Sequence, residues 1–347
     1  MATSAKPNDK KIPKRLLWTA AVAGLAFAGQ AVYRELTKFK IENSVILVTG
    51  GSRGLGLVLC RQLAARGAKL AICARSTDQI NNAVREMREK GAAIIGVTAD
   101  LRDLSQAQKA VSEVISHYGR LDVLINNAGI VQVGPMETMN IEDFENTMQT
   151  NFWAALYMIY AALPQFKKQG EGRIVNISSI GGKIAVPHLL PYTASKFALT
   201  GLSEGLHAEL KKDNIHVTTV VPHLVNTGSP RNITVRGDHE AEYAWFKISD
   251  SSPFLAQDVE KSARKIIGAL EYGQSERILA FTAKMATIAQ GLFPSGVSAI
   301  LAAANKFLPE NKAGGLQRKK GYESESEKSR GRVAARTDTA SIKNNEL

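Results

Sequence analysis

The chain is 347 residues long, 44% hydrophobic but only 6% aromatic, and carries a formal net charge of +12 at pH 7. That length admits one large domain or two small ones, and the apolar share excludes disorder for the bulk of it. Two cysteines, Cys60 and Cys73, stand outside any CxxC pair or Cys/His cluster, which excludes a disulfide framework and a metal site of zinc type and leaves them as small buried hydrophobes.

Residues 1–40 hold eight Lys/Arg against two Asp/Glu. Within them Leu16 to Val32 is a run of seventeen uncharged residues, with Trp18 and Tyr33 near its ends and basic residues on both sides. A membrane anchor over 16–33 is the preferred reading, at the short end of what spans a bilayer. A cleavable export signal, with AFA at 26–28 as its small-x-small site, and an interfacial helix are the alternatives.

From Ser44 onward, short apolar runs at 45–50, 69–75, 92–100, 121–129, 172–179 and 215–222 alternate with helical patterns at 54–66, 77–90, 103–118, 141–169 and 191–212. Their nearly continuous hydrophobicity predicts strands covered on both faces, and 277–281 offers a seventh. The expected fold is α/β: a doubly wound Rossmann-type parallel sheet of six or seven strands, with helices on both faces and ligands at the carboxyl ends of the strands. Residues 283–308 are apolar but broken by Gly291 and Pro294; they read as a core helix pair or as a membrane-associated segment, the second favoured. Residues 309–347, rich in charge and serine, read as a disordered tail. The first forty residues carry +6 and the tail +3, leaving only +3 for the middle. Nucleic-acid binding is therefore not expected, and basic ends suit a membrane surface.

The turn after the first strand reads TGGSRGLG at 49–56. Gly50, Gly54 and Gly56 let the backbone approach a pyrophosphate, and the following helix N-terminus supplies amides for it. The spacing is neither G-x-G-x-x-G nor that of a P-loop. At the end of the second strand, where an acidic residue would take the ribose hydroxyls, stand Ala74 and Arg75. Together with Arg53 they favour NADP(H) over NAD(H), since guanidinium pairs with phosphate. Further on, Tyr192 and Lys196 lie four residues apart, on one helix face. That pair alone does not separate chemistry from coincidence.

Taken in order, TGGSRGLG, NNAG at 126–129 and YTASK at 192–196 resemble the short-chain dehydrogenase/reductase family in its common, shorter branch, with its TGxxxGxG and YxxxK motifs. The likeness runs from roughly Asn43 to Phe281. It implies an enzyme that interconverts a carbonyl and an alcohol. Tyr192 would be the general acid, Ser179 would orient the carbonyl oxygen, and Lys196 would hold the nicotinamide ribose and lower the tyrosine's pKa. Asn151 would bind a water linking Lys196 to solvent. Ser179 is preferred to Ser178 because the family's serine precedes its tyrosine by thirteen residues. For the cofactor the resemblance implies Gly50, Ser52, Arg53, Gly54, Leu55 and Gly56 in the turn, and Arg75 after the second strand. It adds Asp100 at the adenine with Leu101 beside it, Asn127, Ala128 and Gly129 beneath the adenosine ribose, and Pro222 and Thr227 near the far end. Bringing a tyrosine from pKa ~10 to near 7 takes ~4 kcal/mol, about what an ammonium at ~4 Å supplies in an effective dielectric of ~20.

One departure is His223, which follows Pro222 where the family commonly has glycine; a steric role is preferred to a titrating one. Within a substrate loop at 226–258, EYAWFK (242–247) reads as an apolar lid or as a core helix. A lid beside an anchor suits a small apolar carbonyl or alcohol: a lipid, steroid, retinoid or long-chain ketone. The catalytic domain is thus set at 43–282, facing the cytosol where cofactor is supplied, and a homo-oligomer is compatible with it. The alternative function is a catalytically idle cofactor-binding regulatory or scaffold protein, against which the complete set Asn151, Ser179, Tyr192 and Lys196 argues. An extended-branch epimerase would show TGxxGxxG instead.

Overall fold

A computed structural model describes residues 35–252, 256–311, 315–331 and 334–347. By internal contacts the chain divides into Met1–Phe39 and Lys40–Leu347, and the second unit holds the sheet. The expected anchor at 16–33 lies outside the described residues. Among the described residues, no helix is long and apolar enough to cross a membrane.

Seven parallel strands form the central sheet: β1 Val45–Thr49, β2 Lys69–Ala74, β3 Ile94–Thr98, β4 Val123–Asn126, β5 Gly172–Ile177, β6 Ile215–Val221 and β7 Glu276–Ile278. Their order across the sheet is β7-β6-β5-β4-β1-β2-β3. The order reverses between β1 and β4, and that switch point is where a parallel sheet opens a crevice for ligand. β1 is buried along its whole length, as its run of Val, Ile and Leu requires.

Helices α1 Gly54–Ala64, α2 Thr77–Glu89 and α3 Leu104–Tyr118 follow the first three strands. Ser76 and Asp103 cap α2 and α3 with side-chain oxygens, whereas Arg53 at the start of α1 provides none. The first-turn amides of α1 are therefore left to another partner. After β4 come α4 Ile141–Met148, a π-helical turn Gln149–Trp153 and α5 Ala154–Gln169, so the single helix expected over 141–169 contains a bulge centred on Asn151. The long α6 Leu190–Leu210 carries Tyr192 and Lys196 in its first two turns. On one sheet face Ala107 and Val111 of α3 and Met158, Ala162 and Phe166 of α5 pack on Leu47, Ala71, Leu124 and Ile174. Both cysteines are buried.

Beyond β6, α7 His239–Ser251 covers the mouth of the sheet and α8 Val259–Glu271 packs against α1. Then α9 Phe281–Leu292 and α10 Pro294–Asn305 form a pair that is not core: Ala283 is the one buried residue of the two, and Phe281, Leu292, Phe293 and Ile300 are exposed.

The tail departs from the disordered segment expected over 309–347. Lys319–Lys320 pair antiparallel with Thr234–Val235, and α11 Ala335–Lys343 packs near α7. Arg318 reaches the buried carboxylate of Asp143 at 2.7 Å. Lys247 of α7, 1% exposed, is ion-paired with Asp338 (2.8 Å) and Glu325 (3.2 Å). The tail is held by charge pairs and by glycines that admit close backbone contact, so its low apolar content did not announce it.

Candidate active site

A cleft of about 560 Å³ opens at the carboxyl ends of β1, β4, β5 and β6. Its floor is the glycine turn. A Cβ on Gly56 would stand 2.1 Å from the Gly50 carbonyl oxygen, and Gly50, at φ +62°, packs against Ala128. Only bare backbone allows the turn to curl this tightly and leave the α1 amides approachable. The NNAG segment holds that geometry from the side: Thr49 Oγ1 accepts from the amides of Asn127 (3.0 Å) and Ala128 (3.1 Å), and Asn127 Nδ2 donates back to the carbonyls of Thr49 and Gly50. Ser52, Arg53, Leu55, Arg75, Asp100, Leu101 and Gly129 all line the cleft, with Pro222, His223 and Thr227 at its far side. This cradle, which any Cβ would fill, fits a dinucleotide. The Asp100 carboxylate is held by Arg102, whose guanidinium draws its pKa down. Arg75 is exposed at the rim and makes no hydrogen bond or ion pair among the described residues.

The four residues expected to be catalytic converge at the inner end of the cleft or just behind it. Ser179 follows β5; its hydroxyl accepts from the Gly181 amide at 3.1 Å. Gly181 is small enough for the Tyr192 ring to lie against it, since a Cβ there would be 3.3 Å from Cε1. Ser178, rejected by the thirteen-residue spacing, turns the other way: its buried hydroxyl bonds the Lys196 carbonyl (3.1 Å) and Thr200 Oγ1 (2.7 Å). It ties β5 to α6. Asn151 is buried in the π turn and uses its amide to hold the main chain of Ile130 on both sides, N–H at 2.8 Å and C=O at 3.0 Å, while donating to Ser195 Oγ at 2.9 Å. It thereby joins the end of the β4 segment to the helical turn that carries Lys196.

The electrostatics of the pair differ from the expectation. Burial pushes the Tyr192 phenol above its ordinary value, opposed by the neighbouring Ser179 hydroxyl, and Lys196 is not among the groups lowering it. The reason is geometric. Lys196 Nζ sits 5.7 Å from the Tyr192 ring centroid and donates to the Ile177 carbonyl at 2.9 Å. Burial lowers the lysine itself to about 8.

Ile130, Val131, Val186, Leu189, Trp245 and Phe246 give the cleft an apolar wall. EYAWFK thus does both: Tyr243 and Phe246 are buried in one core cluster with Val133, Ile233 and Val235, and Phe246 also lines the cleft together with Trp245, which packs against that cluster. Sequence reasoning missed what fixes Trp245. Glu242, fully buried, accepts from its indole Nε1 at 2.7 Å and pairs with His188 Nδ1 at 2.7 Å. His188 lies 54 residues upstream, so no local pattern could link them. Also missed were Asp250 and Glu346, two carboxylates in the same cleft.

A family model described as short chain dehydrogenase matches residues 44–236. The dehydrogenase/reductase SDR family protein 7-like of Anopheles gambiae is 32% identical over 71% of this chain and 79% of its own length. The 11-beta-hydroxysteroid dehydrogenase 1A of Arabidopsis thaliana is 36% identical over 57% of each chain. Among solved structures, a gluconate 5-dehydrogenase from Burkholderia cenocepacia superposes with a TM-score of 0.64 at 24% identity, covering 72% of this chain and 99% of its own, and shares the fold. The chain belongs to the short-chain dehydrogenase/reductase family, a family of oxidoreductases.

Proposed function

We propose that the chain is an NADP(H)-dependent reductase or dehydrogenase that interconverts a carbonyl and an alcohol on an apolar substrate. The observation that carries this is the Tyr192 phenol beside the Ser179 hydroxyl, with Lys196 one helical turn further on, at the inner end of a cleft floored by bare glycine backbone. When bound, the nicotinamide cofactor supplies or accepts the hydride. In reduction, Tyr192 Oη gives its proton to the carbonyl oxygen; in oxidation it takes the proton back. Ser179 Oγ donates a hydrogen bond to that oxygen and stabilises the charge that grows on it. Lys196, lowered to about 8 by burial, can hold or release a proton at Nζ near neutral pH. Asn151 keeps that lysine's helical turn in place through Ser195.

Arg53 and Arg75, with Ala74 and no carboxylate at the end of β2, support the phosphorylated cofactor. Trp245, Phe246, Val186 and Leu189 support an apolar substrate, and one relative is named a hydroxysteroid dehydrogenase. Tyr192→Phe is expected to lower turnover by about 10²–10⁴ while leaving NADPH affinity intact; unchanged turnover refutes the assignment. Equal affinity for NADH refutes the cofactor reading. We further propose that residues 16–33 hold the chain at a membrane, with the catalytic domain on the cytosolic side. The exposed apolar residues of α9 and α10 support this, and release of the full chain by high-pH carbonate would exclude an integral anchor.

A further inference from the structure

The last residues of the chain lie on the glycine turn itself. The Asn344 carbonyl accepts from the Gly54 amide at 2.9 Å, at the uncapped start of α1. Asn345 Nδ2 donates to the carbonyls of Ser52 (2.9 Å) and Gln79 (3.2 Å). Glu346, 4% exposed, places Oε2 2.9 Å from Arg53 NH1, accepts from Asn232 Nδ2 at 2.7 Å, and brings Oε1 within 2.6 Å of where a Gly54 Cβ would be. A carboxylate with an arginine and a helix start before it occupies the position of an anion.

The seat is built into the chain on both sides. A Cβ on Gly228 would meet Ser341 Cα at 2.4 Å, and one on Gly321 would meet the Pro230 carbonyl at 2.1 Å. Asn344 Nδ2 bonds the carbonyl of Thr227, across the cleft from the glycine turn. Bare backbone at these contacts and the ion pairs at Asp143 and Lys247 deliver the terminus to one place.

We infer that the glycine turn is a site for two anions that exclude one another, the phosphates of the cofactor and the carboxylate of this chain's own Glu346, so that cofactor must displace the C-terminal segment to bind. This rests on the dinucleotide reading of the turn, but not on which dinucleotide is preferred. Competition by a tethered segment scales the affinities of NADPH and NADH by the same factor and leaves their ratio alone.

The test compares the full chain with a variant ending at Lys343 and with Glu346→Gln, measuring Kd for NADPH and NADH by titration. Loss of a charge-assisted contact predicts roughly ten- to hundredfold tighter binding of both nucleotides to the shortened chain, and a smaller gain for Glu346→Gln. A synthetic peptide of residues 340–347 is expected to raise the Kd of the shortened chain again, in competition with NADPH. On adding NADPH to the full chain, amide exchange across 335–346 is expected to accelerate. Unchanged or weaker nucleotide binding in both variants overturns the inference, as does a terminus that becomes better protected with NADPH. An NADPH/NADH ratio that differs between the full and the shortened chain also overturns it, whereas a ratio near one in both chains bears on the cofactor reading alone.

Discussion

Lys196→Met is expected to stabilise the cofactor-free chain while abolishing its activity. Lys196 is 4% exposed, its hydrogen bond goes to the Ile177 carbonyl, and no carboxylate pairs with it among the described residues. Burial lowers it from 10.5 to about 8. At ~1.4 kcal/mol per tenfold in proton affinity, keeping that ammonium in the folded chain costs about 3 kcal/mol at neutral pH. Methionine keeps most of the volume and strands the Ile177 carbonyl at ~1 kcal/mol, so the net gain is about 2 kcal/mol. The sign follows from the proton balance. Below pH 8 both folded and unfolded lysines are charged and the cost is complete. Between 8 and 10.5 the folded lysine is neutral while the unfolded one is still charged, so the parent's stability climbs relative to the variant. Above 10.5 the advantage is gone. Urea unfolding of both proteins at pH 7 and pH 10.5 reads this directly. A variant no more stable at pH 7, or one whose gain is equal at both values, refutes the reasoning.

The two adjacent serines separate rate from stability. Ser179→Ala is expected to lower turnover at least tenfold with little change in Tm, whereas Ser178→Ala loses the tie to Lys196 and Thr200 and costs about 1–3 kcal/mol in urea unfolding. Equal loss of stability in both would undo that division. Docking of the C-terminal segment is expected to weaken as pH rises. Asp250 is raised from 3.8 to about 8, first by burial and then by Glu346, with the Thr337 hydroxyl opposing. The docked state thus holds a proton that an undocked, solvated Asp250 gives up, and docking is strongest below about 4 and declines through about 8. Carboxypeptidase trimming should therefore be faster at pH 9 than at pH 6.5 after correction for the enzyme's own pH profile; a slower rate contradicts it.

The sheet was legible because its strands are long apolar runs with a two-sided cover, and the turn because glycine at 50, 54 and 56 has few other uses. The thirteen-residue spacing chose Ser179 over Ser178, and the structure sets the Ser179 hydroxyl beside the Tyr192 phenol while Ser178 turns to Lys196 and Thr200. The pKa of Tyr192 was not, because helical spacing places a lysine's Cα but not its Nζ, and here Nζ turns to Ile177. The His188–Glu242–Trp245 chain was hidden by separation in sequence. The tail was misread because composition registers apolar burial, and Arg318, Asp338 and Glu346 are held instead by Asp143, Lys247 and Arg53.

The π turn at Gln149–Trp153 has a consequence for how this segment can change. An α-helix advances ~100° per residue, so the extra residue in the turn sets the azimuth of α5 relative to α4. α4 packs on α6, and α5 packs on α3. Removing one residue here would rotate one of those faces out of contact and swing Asn151 away from Ile130. The segment therefore behaves as a gauge block between two layers: it can exchange side chains but not length.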